Sequence, residues 1–93
     1  STHEGAVAHA LLASGAHVAL VHKKTPDGLR VTGRASRTGT QKGADIGSVM
    51  KTVAGRLGGE GGGHPGAAGW SGQCHPVELQ STLLAALTSE LIG

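Results

Sequence analysis

A run of glycines that ends in a histidine is the first feature of this sequence that could do chemistry. Gly61, Gly62 and Gly63 precede His64, and five of the seven residues from 58 to 64 are glycine. Each glycine costs backbone entropy to order, so such a cluster needs a reason. Without side chains, backbone N–H groups can approach phosphate oxygens, and His64 could donate a hydrogen bond or carry charge beside an anion. The alternative interpretation is a flexible loop with a surface histidine.

A strictly alternating segment supplies the second set of candidate residues. From residue 29 to residue 36, apolar or small residues take every other position. A period of two is typical of a β-strand with one face toward the core and one toward solvent. The polar face of this predicted strand carries Arg30, Thr32, Arg34 and Ser36. Two arginines on one face favour an anionic ligand, with phosphate the leading candidate.

The charges of the chain are unevenly distributed. The net charge is only +2, but all eight Lys and Arg lie between residues 23 and 56 with two of the six acidic residues, so this window carries +6. A concentrated basic region favours an anionic partner. A solvated face that only keeps the protein soluble is an equally weighted alternative, so charge alone does not identify a function.

Composition excludes several classes of protein. A single cysteine forms no disulfide framework, and the adjacent pair Cys74 and His75 is a poor ligand spacing for zinc. The six histidines form no H-E-x-x-H motif, so no metal or other cofactor is expected in this chain. Trp70, the one aromatic residue, is too little for a base-stacking platform. No apolar run is long enough for a membrane span, so we expect no membrane contact and a cytoplasmic location.

Two nucleotide-binding motifs match this sequence in part, and both are rejected. Gly61, Gly63 and Gly66 formally give G-x-G-x-x-G, yet that fingerprint follows a strand and opens a helix. Here the segment follows a predicted helix and contains Pro65. The P-loop pattern fails because Thr40 stands where its lysine is required.

Capping and turn signals predict the elements of the first half. An S-x-x-E capping box at the N-terminus and an alanine-rich stretch predict a helix that ends at residue 14, before Gly15. Residues 17–24 are apolar on both faces, as in a buried central strand. A Pro-Asp-Gly turn joins them to the alternating strand, which predicts a β-hairpin. A basic loop is expected over residues 37–43.

The second half is predicted to hold two helices with a short strand between them. Apolar residues spaced three and four apart predict a helix over residues 44–57. Residues 58–66 are rich in glycine and are expected to form a flexible loop. Residues 67–72 predict a short strand, and Pro76 begins a last helix. The predicted buried face of that helix is Leu79, Leu83, Leu84, Leu87 and Leu91.

Together these elements predict one small α+β domain over residues 1–93, with the order α-β-β-α-β-α. A sheet is built around the β-hairpin, and the helices pack on it. The length agrees with this, since about 100–150 residues is the most common size of a single domain.

Three segments resemble the DHH-associated C-terminal domain of the DHH phosphoesterase superfamily, and the likeness covers most of the chain. Residues 32–36 read T-G-R-A-S, similar to the S-x-R-S strand of that family. Ala44, Asp45 and Ile46 resemble the start of the helix before its signature loop. Residues 61–69 read G-G-G-H-P-G-A-A-G, like the family's G-G-G-H-x-x-A-A-G. The superfamily includes RecJ-type single-strand exonucleases, nanoRNases and cyclic-dinucleotide phosphodiesterases.

The resemblance implies a place for this domain in a larger enzyme. In the family it faces a catalytic domain whose aspartates and histidines hold two manganese ions, and substrate lies in the cleft between the domains. Arg34 and Thr32 would contact substrate phosphate there. Gly61, Gly62, Gly63 and His64 would cradle the scissile or terminal phosphate.

Three further residues bear on this implied site. Arg30 lies on the same predicted strand face as Arg34, so alternation suggests that it extends the phosphate contact. Ala35 follows the arginine where the family often has serine, and Ser36 is the hydroxyl that could substitute for it. Glu60 places a negative charge just before the glycine motif.

The chain lacks the D-H-H motif and the other metal-binding carboxylates of the superfamily, so it lacks the groups that activate water. We expect the substrate-binding domain of a larger manganese-dependent hydrolase, with the catalytic DHH domain of the same parent chain as one partner. Single-stranded nucleic acid or a short oligonucleotide is the expected ligand. Two alternatives are a non-catalytic module like the similar domain of alanyl-tRNA synthetases, and a scaffold in a replication complex.

Overall fold

The computed structural model describes residues 7–13, 16–41 and 43–92, with side chains over residues 18–41 and 43–90. The described ranges contain five strands and three helices. In chain order these are β1 (Val7–Ala13), β2 (Ala16–Thr25), β3 (Gly28–Ala35), α1 (Arg37–Gln41), α2 (Ile46–Leu57), β4 (Glu60–His64), β5 (Ala67–Gly72) and α3 (Pro76–Ile92). The expected α+β class is confirmed.

The five strands form one antiparallel sheet in the order β1-β2-β3-β5-β4. The predicted β-hairpin is confirmed as β2 and β3, which pair from Thr25 and Gly28 at the turn to Val18 and Ala35 at the far end. The predicted short strand is confirmed as β5, which lies between β3 and β4. As a result, β4 and β1 are the two edges of the sheet.

The predicted N-terminal helix is wrong where the structure describes it. Val7–Ala13 is a strand that pairs along its whole length with β2. Alanine and leucine favour a helix locally, but a short isolated helix is marginal in water and tertiary pairing overrides that preference. The capping box at residues 1–4 and the helix end at residues 14–15 lie outside the described residues.

Among the described residues, helices cover only one face of the sheet, and this corrects the burial expected for β2. Val18 and Leu20 are buried there, whereas Ala19 and Val21 are exposed and Val21 keeps 40% of its surface in solvent. Alternation along β3 follows the prediction, with Leu29 buried and Arg30 exposed. We call the helix-covered side the inner face and the opposite side the outer face.

The core lies between the inner face and helices α2 and α3. Its largest fully buried side chains are Val31, Ile46, Val49, Met50, Val53, Trp70, Leu79 and Leu87. Trp70 from β5 donates a hydrogen bond from Nε1 to the Gly58 carbonyl oxygen at 2.9 Å, which satisfies its buried polar atom. Ser48 on α2 donates to a Glu90 carboxylate oxygen on α3 at 3.1 Å, which joins the two helices.

The periodicity of the last helix is mostly confirmed. Leu79, Leu83 and Leu87 are buried, but Leu84 is 47% exposed, so its predicted burial is wrong. Successive residues lie about 100° apart around a helix, which places Leu84 beyond the side of α3 that packs on the core. The side chain of Leu91 lies outside the described residues.

Two predicted loops are ordered elements in the structure. The basic segment after β3 holds α1, where the Ser36 Oγ accepts a hydrogen bond from Gly39 N at 3.0 Å as an N-cap does. The glycine-rich segment contains β4, which pairs with β5 from Glu60 to His64. Pairing with a neighbouring strand stabilises a backbone that has little strand preference of its own.

Candidate functional site

The outer face of β3, β5 and β4 brings most of the predicted site residues together. Antiparallel register aligns the three strands, so that residues directly opposite one another point to the same face. Three rows cross the outer face, each with one residue from β3, β5 and β4 in that order. They are the Arg34 row (Arg34, Ala67, His64), the Thr32 row (Thr32, Gly69, Gly62) and the Arg30 row (Arg30, Ser71, Glu60).

Small residues on the middle strand turn this surface into a trough. Ala67, Gly69 and Ser71 of β5 form the floor, while β3 and β4 provide the two sides. The Thr32 and Arg30 rows line an open hollow of about 550 Å³. Neighbouring strands lie about 4.8 Å apart, so residues of β3 and β4 in one row are separated by about 10 Å.

The basic side chains of the trough are free to bind an anion. Arg30, Arg34 and His64 are exposed, and none of them forms an ion pair with another residue in the described ranges. In the Arg34 row, a guanidinium and an imidazole flank the methyl group of Ala67, with no carboxylate in the row. A guanidinium can form two parallel hydrogen bonds with one phosphate group. This row therefore has the chemistry of a phosphate site.

Packing against α2 explains the first glycine of the predicted cradle. A Cβ added at Gly61 would collide with the carbonyl oxygen of Met50 and would lie 3.1 Å from Cδ1 of Trp70. Gly61 therefore faces inward and lets β4 approach the helix closely. Its missing side chain is needed by the core, so it does not by itself indicate a ligand.

Backbone conformation explains the third glycine. Gly63 has a φ of 144°, a value that residues with a Cβ rarely adopt, and an added Cβ would lie 2.7 Å from Cα of Ala68. On its other side, a Cβ added at Gly47 of α2 would lie 2.7 Å from the Gly63 carbonyl oxygen. Between them, Gly62 lies in the Thr32 row, where an added Cβ would meet only the Lys51 side chain, at 3.7 Å.

The turn that follows His64 is fixed to both neighbouring elements. The Pro65 carbonyl oxygen accepts a hydrogen bond from Ile46 N at the start of α2, at 3.0 Å. The Gly66 carbonyl oxygen accepts one from Ala35 N at the end of β3, also at 3.0 Å. These two bonds hold the β4 end of the Arg34 row in place relative to its β3 end.

Ser36 lies apart from the three rows. It follows the last residue of β3, and its hydroxyl oxygen already caps α1 through Gly39 N. The hydroxyl hydrogen remains able to donate, since an N-cap uses the oxygen only as an acceptor. A phosphate contact at Ser36 stays a prediction.

The structure adds two residues to the surface that sequence reasoning missed. Ser71 lies between Arg30 and Glu60 on the trough floor. Lys51 of α2 is exposed, and its side chain passes beside Gly62 at the sheet edge. The alternation of β5 could have indicated Ser71, but only the packing of α2 against β4 reveals the position of Lys51.

Other chemistry finds little support among the described residues. No three His, Cys, Asp or Glu side chains in these ranges gather into a group able to hold a metal ion. Burial, together with the Glu78 carboxylate, raises the pKa of the Cys74 thiol, which disfavours the nucleophilic thiolate. None of the helices in the same ranges is both long and apolar enough to cross a membrane.

Comparison with known families gives one match. The family profile of the DHHA1 domain matches residues 4–92, which is almost the whole chain. No curated protein gives a significant match. The profile spans all three strands that carry the trough and both helices that pack beneath it.

Proposed function

Because this chain belongs to the DHHA1 family, the DHH-associated domains of DHH superfamily phosphoesterases, we propose that it is the substrate-binding domain of a larger metal-dependent phosphodiesterase. Its ligand is single-stranded nucleic acid or a short oligonucleotide, held by phosphate groups on the outer face. RecJ-like single-strand nuclease or oligonucleotide phosphodiesterase activity is the proposed activity of the intact enzyme, and the cytoplasm is its proposed location.

The observation that carries this proposal is the Arg34 row. Arg34 and His64 stand on either side of a small residue, exposed and without ion pairs in the described part of the chain. A phosphate above Ala67 would lie between both side chains, which reach toward it from strands about 10 Å apart. Thr32, one row along, adds a hydroxyl that can donate to a phosphate oxygen.

The glycine strand contributes backbone donors to this site. Because β4 is an edge strand, alternate residues direct their N–H groups away from β5 and leave them without a strand partner. Gly63 is exposed and Gly61 and Gly62 are half-buried, and the absence of side chains lets phosphate oxygens approach the exposed part of this backbone. The packing roles of Gly61 and Gly63 are compatible with this function, since they fix the position of the strand.

Hydrolysis belongs to the catalytic domain of the proposed parent enzyme. Manganese ions held by that domain would supply the activated water. The residues of this chain bind and orient the phosphodiester: Arg34 and His64 hold phosphate charge, and the anchored turn at Pro65 fixes His64 relative to β3. An orienting role of this kind accelerates a reaction by holding the reacting groups in line.

The proposal is tested by fluorescence anisotropy with a labelled, 5′-phosphorylated single-stranded oligonucleotide across a salt series. We expect binding that weakens with salt, and weaker binding in Arg34→Ala and His64→Ala. Two matched controls remove the same side chains outside the three rows: Arg56→Ala on α2 and His75→Ala before α3, both at exposed positions. These controls are expected to bind like the unmodified chain.

Each other outcome contradicts the proposal in a different way. Equal loss in Arg34→Ala and Arg56→Ala would show that the basic residues act only as a general charged surface. A complete lack of binding at low salt would favour the scaffold alternative. Binding of a tRNA acceptor stem in preference to single strands would favour the synthetase-like module.

A further inference from the structure

The two ends of the trough differ in charge. In the Arg34 row both flanking side chains can be cationic, whereas in the Arg30 row a guanidinium on β3 faces the Glu60 carboxylate on β4 across Ser71. Arg30 and Glu60 are both exposed and form no ion pair with each other. Their backbones lie about 10 Å apart, on opposite sides of the trough.

The surroundings of the Arg30 row extend this separation. On the β2 side, Lys23 lies directly opposite Arg30 in the sheet and adds a second positive charge. Toward the end of the sheet, a second hollow of about 380 Å³ continues from Arg30 and Glu60 to the turn between β2 and β3, where Asp27 adds a carboxylate beyond the Arg30 row. Within the Arg30 row itself, the positive charges lie on β2 and β3 and the negative charge lies on β4.

Distances along the strands relate this asymmetry to the proposed phosphate site. Arg34 and Arg30 are four residues apart on β3, as are His64 and Glu60 on β4, which corresponds to about 13 Å. A phosphate bound in the Arg34 row is thus farther from Glu60 than the screening length of about 10 Å at 0.1 M salt. A later phosphate of the same strand, over the Arg30 row, would lie within that length of both Arg30 and Glu60.

We propose that Arg30 and Glu60 form a second subsite that steers the next phosphates of a bound strand toward β3. Arg30 attracts them, and Glu60 repels them from the β4 side of the trough. Uncharged sugar or base groups that donate hydrogen bonds then occupy the space beside Glu60 and Ser71. The nucleic-acid backbone therefore follows β3. Glu60 sets the path of the bound strand without contacting its first phosphate. This inference rests on the proposed function of the Arg34 row.

Two ligands of different length separate the two subsites. Thymidine 5′-phosphate has one phosphate and fills only the Arg34 row, while 5′-phosphorylated trithymidylate has three and reaches the Arg30 row. At 0.1 M salt, Glu60→Gln is expected to raise affinity for the trinucleotide about two- to fivefold and to leave the mononucleotide unchanged. Arg30→Ala is expected to lower affinity for the trinucleotide by a similar factor, again without change for the mononucleotide. Glu78→Gln, an equal charge change on α3, should alter neither.

The outcomes distinguish this inference from the function on which it rests. Suppose that the unmodified chain binds both ligands and that His64→Ala weakens the binding of both. If Glu60→Gln then weakens trinucleotide binding or leaves it unchanged, the second subsite is wrong and the phosphate site in the Arg34 row stands. The same conclusion follows if Glu60→Gln or Arg30→Ala changes the affinities for the mononucleotide and the trinucleotide by the same factor. If neither ligand binds in a way that depends on His64 and Arg34, the proposed function itself is wrong. Calorimetric titration measures all of these affinities.

Discussion

Strands β3 and β5 present the same backbone to two very different environments. Toward the helices they place Val31 and Trp70, both almost fully buried, and toward solvent they place Arg30, Arg34 and Ser71. The inner face is packed against helices, whereas the outer face has small residues on its floor and, on its sides, charges without ion pairs in the described part of the chain. This contrast separates residues that the fold requires from residues that remain available for a ligand.

The glycine strand β4 shows why that separation matters. Its sequence suggests a single role in phosphate binding, but Gly61 serves packing on α2 and Gly63 serves a backbone conformation with positive φ. His64 extends from the same strand into the exposed Arg34 row. One short segment thus combines structural glycines with a candidate ligand-binding histidine, and mutations should separate the two roles.

The largest effect is expected from the inner face. Trp70→Ala removes the largest core side chain and its hydrogen bond to the Gly58 carbonyl oxygen. We expect a loss of about 3–5 kcal/mol in the free energy of unfolding, enough to unfold a large fraction of so small a domain. Urea denaturation followed by circular dichroism measures it. Trp70→Phe keeps most of the apolar volume and should cost less; equal stability of Trp70→Ala and the unmodified chain would refute the assigned core.

A pair of glycine substitutions tests the packing role of β4. Gly61→Ala forces a methyl group against the Met50 carbonyl oxygen and should destabilise the domain by about 1–3 kcal/mol. Gly55→Ala is the matched control, since an added Cβ there, in the last turn of α2, meets no atom within 4 Å. Alanine is a better helix former than glycine, so this change should stabilise by about 0.5–1 kcal/mol. Thermal denaturation of both variants should shift in opposite directions.

The outer face is expected to show the reverse pattern. Arg34→Ala and His64→Ala should change the free energy of unfolding by less than about 0.5 kcal/mol, because both side chains are exposed and without ion pairs in the described ranges. Each should nevertheless weaken oligonucleotide binding. The slope of log affinity against log salt should fall by about 0.7 in Arg34→Ala, as expected for one lost phosphate contact with a single strand. A large loss of stability in either variant would assign these residues to the fold.

The last prediction concerns the helix beneath the glycine strand. Asp45 caps α2 by accepting a hydrogen bond from Ser48 N at 3.0 Å. Asp45→Ala should cost about 1 kcal/mol of stability, and Asp45→Asn much less, because asparagine is an equally good N-cap. Urea denaturation of the two variants makes the comparison. Equal losses would show that the charge of Asp45 matters and the cap geometry does not.

Much of the fold could be predicted because local signals and tertiary packing agree. The alternation from Leu29 to Ala35 gives β3 with the correct exposed face, and the apolar spacing of Ile46, Val49 and Val53 gives α2. Where local signals and tertiary packing disagree, the sequence predicts the wrong element. Val7–Ala13 looks helical because its alanines favour a helix, but its pairing partner lies in the next strand.

Most residues of the candidate site could be predicted from the sequence, but their arrangement in space could not. Arg30, Thr32 and Arg34 could be placed on one face by a period of two, and His64 by its position after the glycines. Their alignment in rows depends on β5 lying between β3 and β4, which no local pattern encodes. The inward role of Gly61 was missed for the same reason, since it depends on the distance between β4 and α2.

The central claim is that the Arg34 row binds phosphate on the outer face. Nuclear magnetic resonance of the ¹⁵N-labelled chain, titrated with thymidine 5′-phosphate, tests it most directly. We expect the amide shifts to change most at Arg34, Ala67, His64 and the glycines of β4, and to change little in α3. In His64→Ala these changes should shrink while the remaining spectrum is preserved. Shifts spread over all basic residues, or concentrated around α3, would contradict a phosphate site in the Arg34 row.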